Sequence, residues 1–264
     1  MVCGTTQDKK LVIIAGASRG IGKAFLDEYK KQENVVAVGI NRTGSAGEKL
    51  DLGDVNAAYR FVRGLDLGGI SRIVYLHAVG IDKFEPQGIP HIDHDGDGID
   101  DEVLSSNYLA FLHLAEPLID AAQRATTRLT LCAIGSISDI FLVPYWQSFS
   151  RAKNKVRQFC KSVTEDGICS VVLNVGSTLD EEGNKFGRKN ADTTYWQTTA
   201  ELVGKSFALL DGFQEMPSKY AEFDFFKFNP AFRRDYFTNL PELYATWQRD
   251  LGFAGKEIPL GIRI

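Results

Sequence analysis

The run Ala15-Gly16-Ala17-Ser18-Arg19-Gly20-Ile21-Gly22 places glycines at 16, 20 and 22. An apolar stretch that reads as a buried strand, residues 10–16, enters it, and a stretch that reads as a helix, residues 20–33, leaves it. Glycines at such a junction let the backbone turn sharply and approach a pyrophosphate closely. The opening turn of the helix adds N–H donors and the positive end of its dipole. The chemistry this predicts is dinucleotide binding, with Gly16, Ser18, Arg19, Gly20, Ile21 and Gly22 around the phosphates. A tight turn without a ligand is the competing reading. The strand–loop–helix setting at the start of an alternating chain argues against it.

Charge at the end of the second strand bears on which dinucleotide. A site specific for NAD places a carboxylate there to hold the ribose hydroxyls. Here the strand ends Gly39-Ile40-Asn41-Arg42, with no acid. Arg42 can pair with a 2′-phosphate. The expected cofactor is NADP(H), with Asn41 and Arg42 among its contacts. A second cluster of functional residue types is Asp93-His94-Asp95-Gly96-Asp97-Gly98-Ile99-Asp100-Asp101-Glu102. It begins as a calcium loop begins, with Asp93, Asp95, Asp97 and Asp101 as candidate ligands and the Ile99 carbonyl between them. Leu104 stands where the closing bidentate glutamate belongs, so the ligand set is incomplete. An acidic, solvated loop whose last acids favour a helix N-terminus is the alternative. His91 and His94 leave a transition-metal site as a further one.

These groups need a frame. Strand-like stretches at 10–16, 35–40, 70–76, 128–135 and 168–175 alternate with helix-like stretches at 20–33, 55–64, 101–124, 145–166 and 197–210. That alternation predicts an α/β fold, a doubly wound parallel sheet covered on both faces, a Rossmann-type three-layer αβα arrangement. The chain has 264 residues, no internal repeat and no flexible linker, so one domain over 1–264 is expected. Residues 81–99 form a long loop rich in Pro, Gly and Asp, and such loops are usually functional. Residues 213–264 are crowded with Phe223, Phe225, Phe226, Phe228, Phe232, Tyr236, Phe237, Tyr244 and Trp247. They read as an extra layer packed on the core, or as a lid over a cleft.

A net charge of −4 gives no electrostatic reason for binding nucleic acid or a membrane surface. Cys3, Cys132, Cys160 and Cys169 lack a C-x-x-C pair and read as free thiols, suited to a reducing cytoplasm. The polar start, residues 1–10, is unlike a signal peptide.

The Gly-x-x-x-Gly-x-Gly spacing resembles the short-chain dehydrogenase/reductase family, and the resemblance runs from residue 10 to about residue 210. Asp51-Leu52 matches the family's acidic residue near the adenine, and the resemblance implies that Arg19 of the glycine loop can reach the same 2′-phosphate as Arg42. Ala78 and Gly80, in His77-Ala78-Val79-Gly80, stand in the family's Asn-Asn-Ala-Gly. Asn107 matches its helix asparagine, Ser136 its post-strand serine, Lys153 its lysine, and Gly176 its Pro-Gly glycine. The family's tyrosine position is Phe149, which keeps the ring and lacks the hydroxyl. The resemblance implies that Ser136 polarises a substrate carbonyl, Lys153 bonds the nicotinamide ribose and Asn107 orders a relay. It also implies a homodimer or homotetramer through the helices that begin near Asp101 and Tyr145. It does not extend to the 213–264 ending, and the small-molecule substrate would be shaped by residues 176–196 and that ending.

Three readings of Phe149 follow. The chain is a Tyr→Phe variant of an active enzyme. Or another acid serves, with Tyr145 one helical turn earlier and His77 at a strand end as candidates. Or the protein binds NADP without redox turnover, as a sensor, scaffold or non-redox catalyst.

Overall fold

The structure, a computed structural model, describes residues 9–86, 88–141, 143–164, 167–180, 182–183, 185, 188–213, 219–227 and 237–263. Strand β1 (Lys9–Ala15) leads into helix α1 (Gly20–Tyr29), followed by β2 (Val35–Asn41), β3 (Glu48–Lys49) and α2 (Val55–Arg63). After β4 (Ile70–His77) comes the long connection, then α3 (Asp101–Leu104), a π-helical stretch Ser105–Leu109, and α4 (Ala110–Ala125). Next are β5 (Arg128–Ser136), α5 (Ile137–Phe141), α6 (Gln147–Ser162) and β6 (Ile168–Val175). The short pair β7 (Thr178–Leu179) and β8 (Gln197–Thr198) precedes α7 (Thr199–Phe213), β9 (Tyr220–Phe225) and α8 (Leu240–Asp250).

Seven strands form a parallel sheet in the order β3-β2-β1-β4-β5-β6-β9. The expected doubly wound Rossmann-type fold is thus present. The apolar strands are buried on both faces, which is why they read as continuous hydrophobic runs. On β1, Leu11, Ile13 and Ala15 join the core under α2, α4 and α6, while Val12 and Ile14 join the core under α1 and α7. The chain winds outward from β1 to β3, then returns to β4 on β1's other side. This reversal opens a crevice beyond the carboxyl ends of β1 and β4, where such sheets bind ligands.

Several expectations are corrected. The helix expected at 145–166 starts at Gln147, because Tyr145 has φ +73, a left-handed conformation that no helix continues through. The aromatic ending is not simply an added layer. Its residues Tyr220–Phe225 are the seventh strand, paired in parallel with β6. Ala221, Phe223 and Phe225 face the α7 core, and Glu222 and Asp224 face the other way, toward Arg157 and Asn174. Farther on, Leu243, Tyr244 and Trp247 of α8 pack with Phe84, Val143, Tyr145 and Trp146. Phe228, Phe232, Tyr236 and Cys3 lie outside the described residues. Among the described residues, no helix is long and apolar enough to cross a membrane.

Candidate active site

Gly16, Asn41, Gly80, Ser136 and Gly176 stand at or just beyond the carboxyl ends of β1, β2, β4, β5 and β6, on one edge of the sheet. The glycines of the loop are demanded by close backbone packing. Gly16 has φ +81, and a Cβ there would lie 2.7 Å from the Ala78 carbonyl oxygen. A Cβ at Gly22 would collide with the Gly16 carbonyl. The Ala78 amide donates to the Ala15 carbonyl at 3.0 Å, fixing the two sides of the crevice to each other. Arg19 caps α1 in an extended conformation. Its side chain has no acceptor for the helix's first N–H groups. Those donors can therefore turn to an anionic ligand. Ser18 and Arg19 are exposed at the rim, and Ile21 packs on the α1 core.

The end of β2 is shaped by Asn41. Its Oδ1 accepts from the amide and hydroxyl of Thr43, each at 3.1 Å, and from the Gly44 amide. The chain then turns directly into β3, with no helix among residues 42–49. Asn41 thus builds the turn that presents Arg42, which is exposed beside the crevice. Asp51 accepts from the Gly53 amide at 2.9 Å, and the buried Leu52 offers its carbonyl to His113 at 2.7 Å.

Deeper in the crevice, Asn107 sits in the π-helical stretch and is fully buried. Its Nδ2 donates to the Ile81 carbonyl at 2.7 Å and to the Val103 carbonyl at 2.9 Å. Its Oδ1 is buried with no hydrogen-bond partner among the described residues. A Cβ on Gly80 would lie 2.9 Å from that oxygen and 3.5 Å from Lys153 Nζ. Gly80, Asn107 and Lys153 are therefore brought together, and an unsatisfied acceptor faces a lysine's surroundings. Lys153 is 5% exposed, and burial lowers its pKa from 10.5 to about 8, against the opposing pull of the Asp139 and Asp82 charges. The half-buried Phe149 ring centre is 5.4 Å from Lys153 Nζ. Ser136 closes β5 and accepts from the Ser138 amide at 3.1 Å. Ser150 of α6 donates to the Ser138 carbonyl at 3.0 Å, tying α6 to the segment that follows Ser136. Gly176 abuts Phe226, whose Cβ would be 2.9 Å from a Cβ placed on it.

The two candidate substitute acids are engaged elsewhere. Tyr145 lies ahead of α6, not one helical turn before Phe149 within it, and its hydroxyl donates to the Leu240 carbonyl at 3.0 Å. His77 is buried, its Nδ1 2.8 Å from the Tyr75 hydroxyl and its ring edge-on to Phe111. Burial, reinforced by the Lys153 charge, lowers its pKa to about 3, so it is neutral at physiological pH.

In the acidic loop, Asp93 accepts from the amides of Gly96 and Gly98 at 2.8 and 2.9 Å. Asp97 pairs with Lys155 at 3.2 Å, and Asp101 pairs with His94. Carboxylate oxygens of Asp93, Asp95 and Asp101 approach within 4.8 Å of one another, whereas Asp97 is drawn to α6. The loop is anchored below by a buried ion pair, Lys83 with Asp100, at 2.7 Å.

Two groups at the site had not been singled out in the sequence. Asp82, directly after Ile81, is partly buried and interacts with the charges of both Arg188 and Lys153. Burial raises its pKa to about 6. Arg188 is clamped between Trp196 and Trp247, its guanidinium carbon 4.7 and 4.5 Å from their ring centres. It donates to Ser177 Oγ and to Asp250, each at 2.9 Å.

No protein-family model matches the chain, and no curated protein sequence does. Solved structures do. A 4-hydroxyisoleucine dehydrogenase complexed with NADH matches with a TM-score of 0.63 and 17% identity, over 82% of this chain and 97% of that one. The alcohol dehydrogenase of the archaeon Thermococcus sibiricus, complexed with 5-hydroxy-NADP, gives 0.65 and 16%, over 83% and 97%. Ligand-free aldohexose dehydrogenase from Thermoplasma acidophilum gives 0.62 and 14%, over 82% and 93%. At these identities the likeness is one of fold.

Proposed function

We propose that this chain is an oxidoreductase of the short-chain dehydrogenase/reductase type that interconverts a small organic carbonyl compound and its alcohol with NADP(H). The observation that carries the reading is the buried Lys153 beside Asn107 and Gly80, on the same sheet edge as the glycine cradle. When bound, the reduced nicotinamide supplies a hydride. The chain's own residues do the rest. The Gly16–Gly22 loop holds the pyrophosphate, Arg42 and Arg19 select the 2′-phosphate, and Lys153 holds the nicotinamide ribose. Ser136 orients and polarises the carbonyl oxygen. Asn107 steadies the Ile81 turn beside Lys153. The similar structures complexed with NADH and with 5-hydroxy-NADP support a nicotinamide ligand without choosing between the two forms. As in the resembling family, a homodimer or homotetramer is proposed. Calcium has no part in the proposal.

Phe149 favours a second reading, a non-redox NADP-binding protein, because its ring cannot transfer a proton. A panel of aromatic and alicyclic ketones with NADPH, run on the protein and on Phe149→Tyr, separates the two. A positioned acid is worth about 10²–10⁴-fold where none exists. The oxidoreductase reading expects at least one ketone to be reduced, with cofactor affinity unchanged by the substitution. NADPH binding without turnover of any ketone by either form would establish the second reading.

A further inference from the structure

We propose that Glu85 is a positioning residue of this site: it fixes the turn that opens α6 and so sets where Phe149 and Lys153 stand. The inference rests on the cofactor-holding role given to Lys153 above. Helix α6 begins at an awkward place. Tyr145, two residues before it, has φ +73, which a residue with a side chain adopts only at a cost in free energy. Trp146 then stands at the cap position, and its side chain makes no capping bond to the helix's first N–H groups. The segment that leaves β4 supplies that bond. The Glu85 amide donates to the Tyr145 carbonyl at 2.9 Å, and Glu85 Oε2 accepts from the Ser148 amide at 3.0 Å. One residue thus brackets the left-handed turn on both sides and caps α6 from outside the helix. Phe149 is the next residue along, and Lys153 lies one helical turn after it.

The same segment is held to the other helix of the site. The Ile81 carbonyl accepts from Asn107, and Lys83 pairs with Asp100 at 2.7 Å. Asp100 in turn caps α3, accepting from the amides of Glu102 and Val103 at 3.1 and 3.3 Å. Its own amide donates to Ser148 Oγ at 2.8 Å. Helix α3 runs directly into the π-helical stretch that carries Asn107. Ser148 is therefore where the two helices are joined, with Asp100 on its hydroxyl and Glu85 on its amide. Lys83, Glu85, Asp100 and Ser148 are all buried, so water offers no ready substitute for a lost partner. The other carboxylate oxygen, Glu85 Oε1, is buried without a hydrogen-bond partner among the described residues. Deleting the whole carboxylate removes a bond and this unpaired oxygen together. The cost in stability is then partly offset, while the cap is lost outright.

The test compares the protein with Glu85→Ala, Glu85→Asp, Glu85→Gln and Leu243→Ala. Leu243 packs with Tyr145 and Trp146, but its side chain cannot hydrogen-bond, so Leu243→Ala reports a loss of packing alone. Each form is read in two ways: NADPH affinity by fluorescence titration and, in the cofactor-free protein, the titration of Lys153 by carbon NMR of its Cε. The unaltered protein should give a Lys153 midpoint near 8. Glu85→Ala should weaken NADPH binding by about tenfold or more. It should also move the Lys153 midpoint up toward 10.5, as a displaced lysine regains water. Asp139 and Asp82, whose charges act on Lys153, are the same in every form. Glu85→Asp keeps the carboxylate on an arm one methylene shorter. It should shift both readouts the same way, and it carries the test if Glu85→Ala does not fold. Glu85→Gln keeps an acceptor oxygen at the same reach and should stay close to the unaltered protein. Leu243→Ala should melt at a lower temperature with both readouts near the unaltered values. The proposal is overturned if Glu85→Ala, or Glu85→Asp in its place, leaves the Lys153 midpoint where it was, or if Leu243→Ala moves it as far. With NADPH still bound, either result leaves the cofactor reading standing. A midpoint that follows Glu85 in a protein that binds no NADPH removes the cofactor reading and keeps Glu85 as the residue that places Lys153.

Discussion

Lys153 and His77 show how burial, not residue type, sets the chemistry at single positions. A lysine at the surface keeps its charge far into alkali, whereas Lys153, desolvated, loses it near pH 8. If its ammonium holds the ribose, NADPH affinity should fall as pH rises through about 8. Fluorescence titration from neutral to alkaline pH checks this, and Lys153→Arg, whose charge persists, should flatten the decline. For His77 the folded pKa, about 3, lies below the 6.5 of an open chain. The unfolded state therefore takes up the proton first as pH falls. The contribution is intact above 6.5 and is lost toward about 3, at roughly 1.4 kcal/mol per pH unit. Denaturant melts across that range should show the slope, and His77→Gln should reduce it. Asn107, Ser136, Phe149 and Lys153 are positions that the family resemblance names, and the structure brings Asn107, Phe149 and Lys153 near one another. Asp82 and Arg188 were not legible in the sequence. A lone acid or arginine in an irregular connection carries no periodic signal, and what acts on it comes from distant segments.

At the scale of elements, the strands buried on both faces were the most legible part of the chain. Residues 168–175 are recovered to the residue, and the others to within a residue or so at each end. β9 was not recognised, although Tyr-Ala-Glu-Phe-Asp-Phe alternates with period two. The aromatics around it mask that alternation, because a cluster of rings reads equally as a packing layer. The start of α6 was misplaced because nothing in the local pattern announces the left-handed Tyr145. The glycine loop is the element on which the cofactor proposal depends most. A methyl on Gly22 would push against the Gly16 carbonyl. Gly22→Ala should weaken NADPH binding strongly and lower stability by about 1–3 kcal/mol, as overpacking usually does. Titration and thermal melts of that variant measure the two effects separately.

Across the whole molecule, the doubly wound sheet brings Gly16, Asn41, Gly80, Ser136 and Gly176 to one edge, and the C-terminal segment packs on the connection that leaves β4. The 81–85 segment is tied to the chain's end by the Phe84 amide donating to Ile262 at 3.1 Å and by the Gly261 amide donating to Phe84 at 3.2 Å. Trp247 joins the C-terminal segment to Arg188. Of the two roles expected for the ending, the structure shows the packed layer, with α8 against Phe84, Val143, Tyr145 and Trp146. Leu243, 1% exposed within it, should cost about 2–5 kcal/mol on replacement by alanine. Denaturant unfolding of Leu243→Ala would measure that cost, and a layer that packs independently of the core would show a separate transition. The most direct measurement of the central claim is a fluorescence titration of the protein with NADPH and with NADH, repeated on Arg42→Ala. Saturable binding of both, tighter for NADPH and with that preference reduced by Arg42→Ala, is the predicted result. No binding of either nucleotide would contradict the nicotinamide site, and equal affinities unaffected by Arg42→Ala would contradict its assignment to NADP(H).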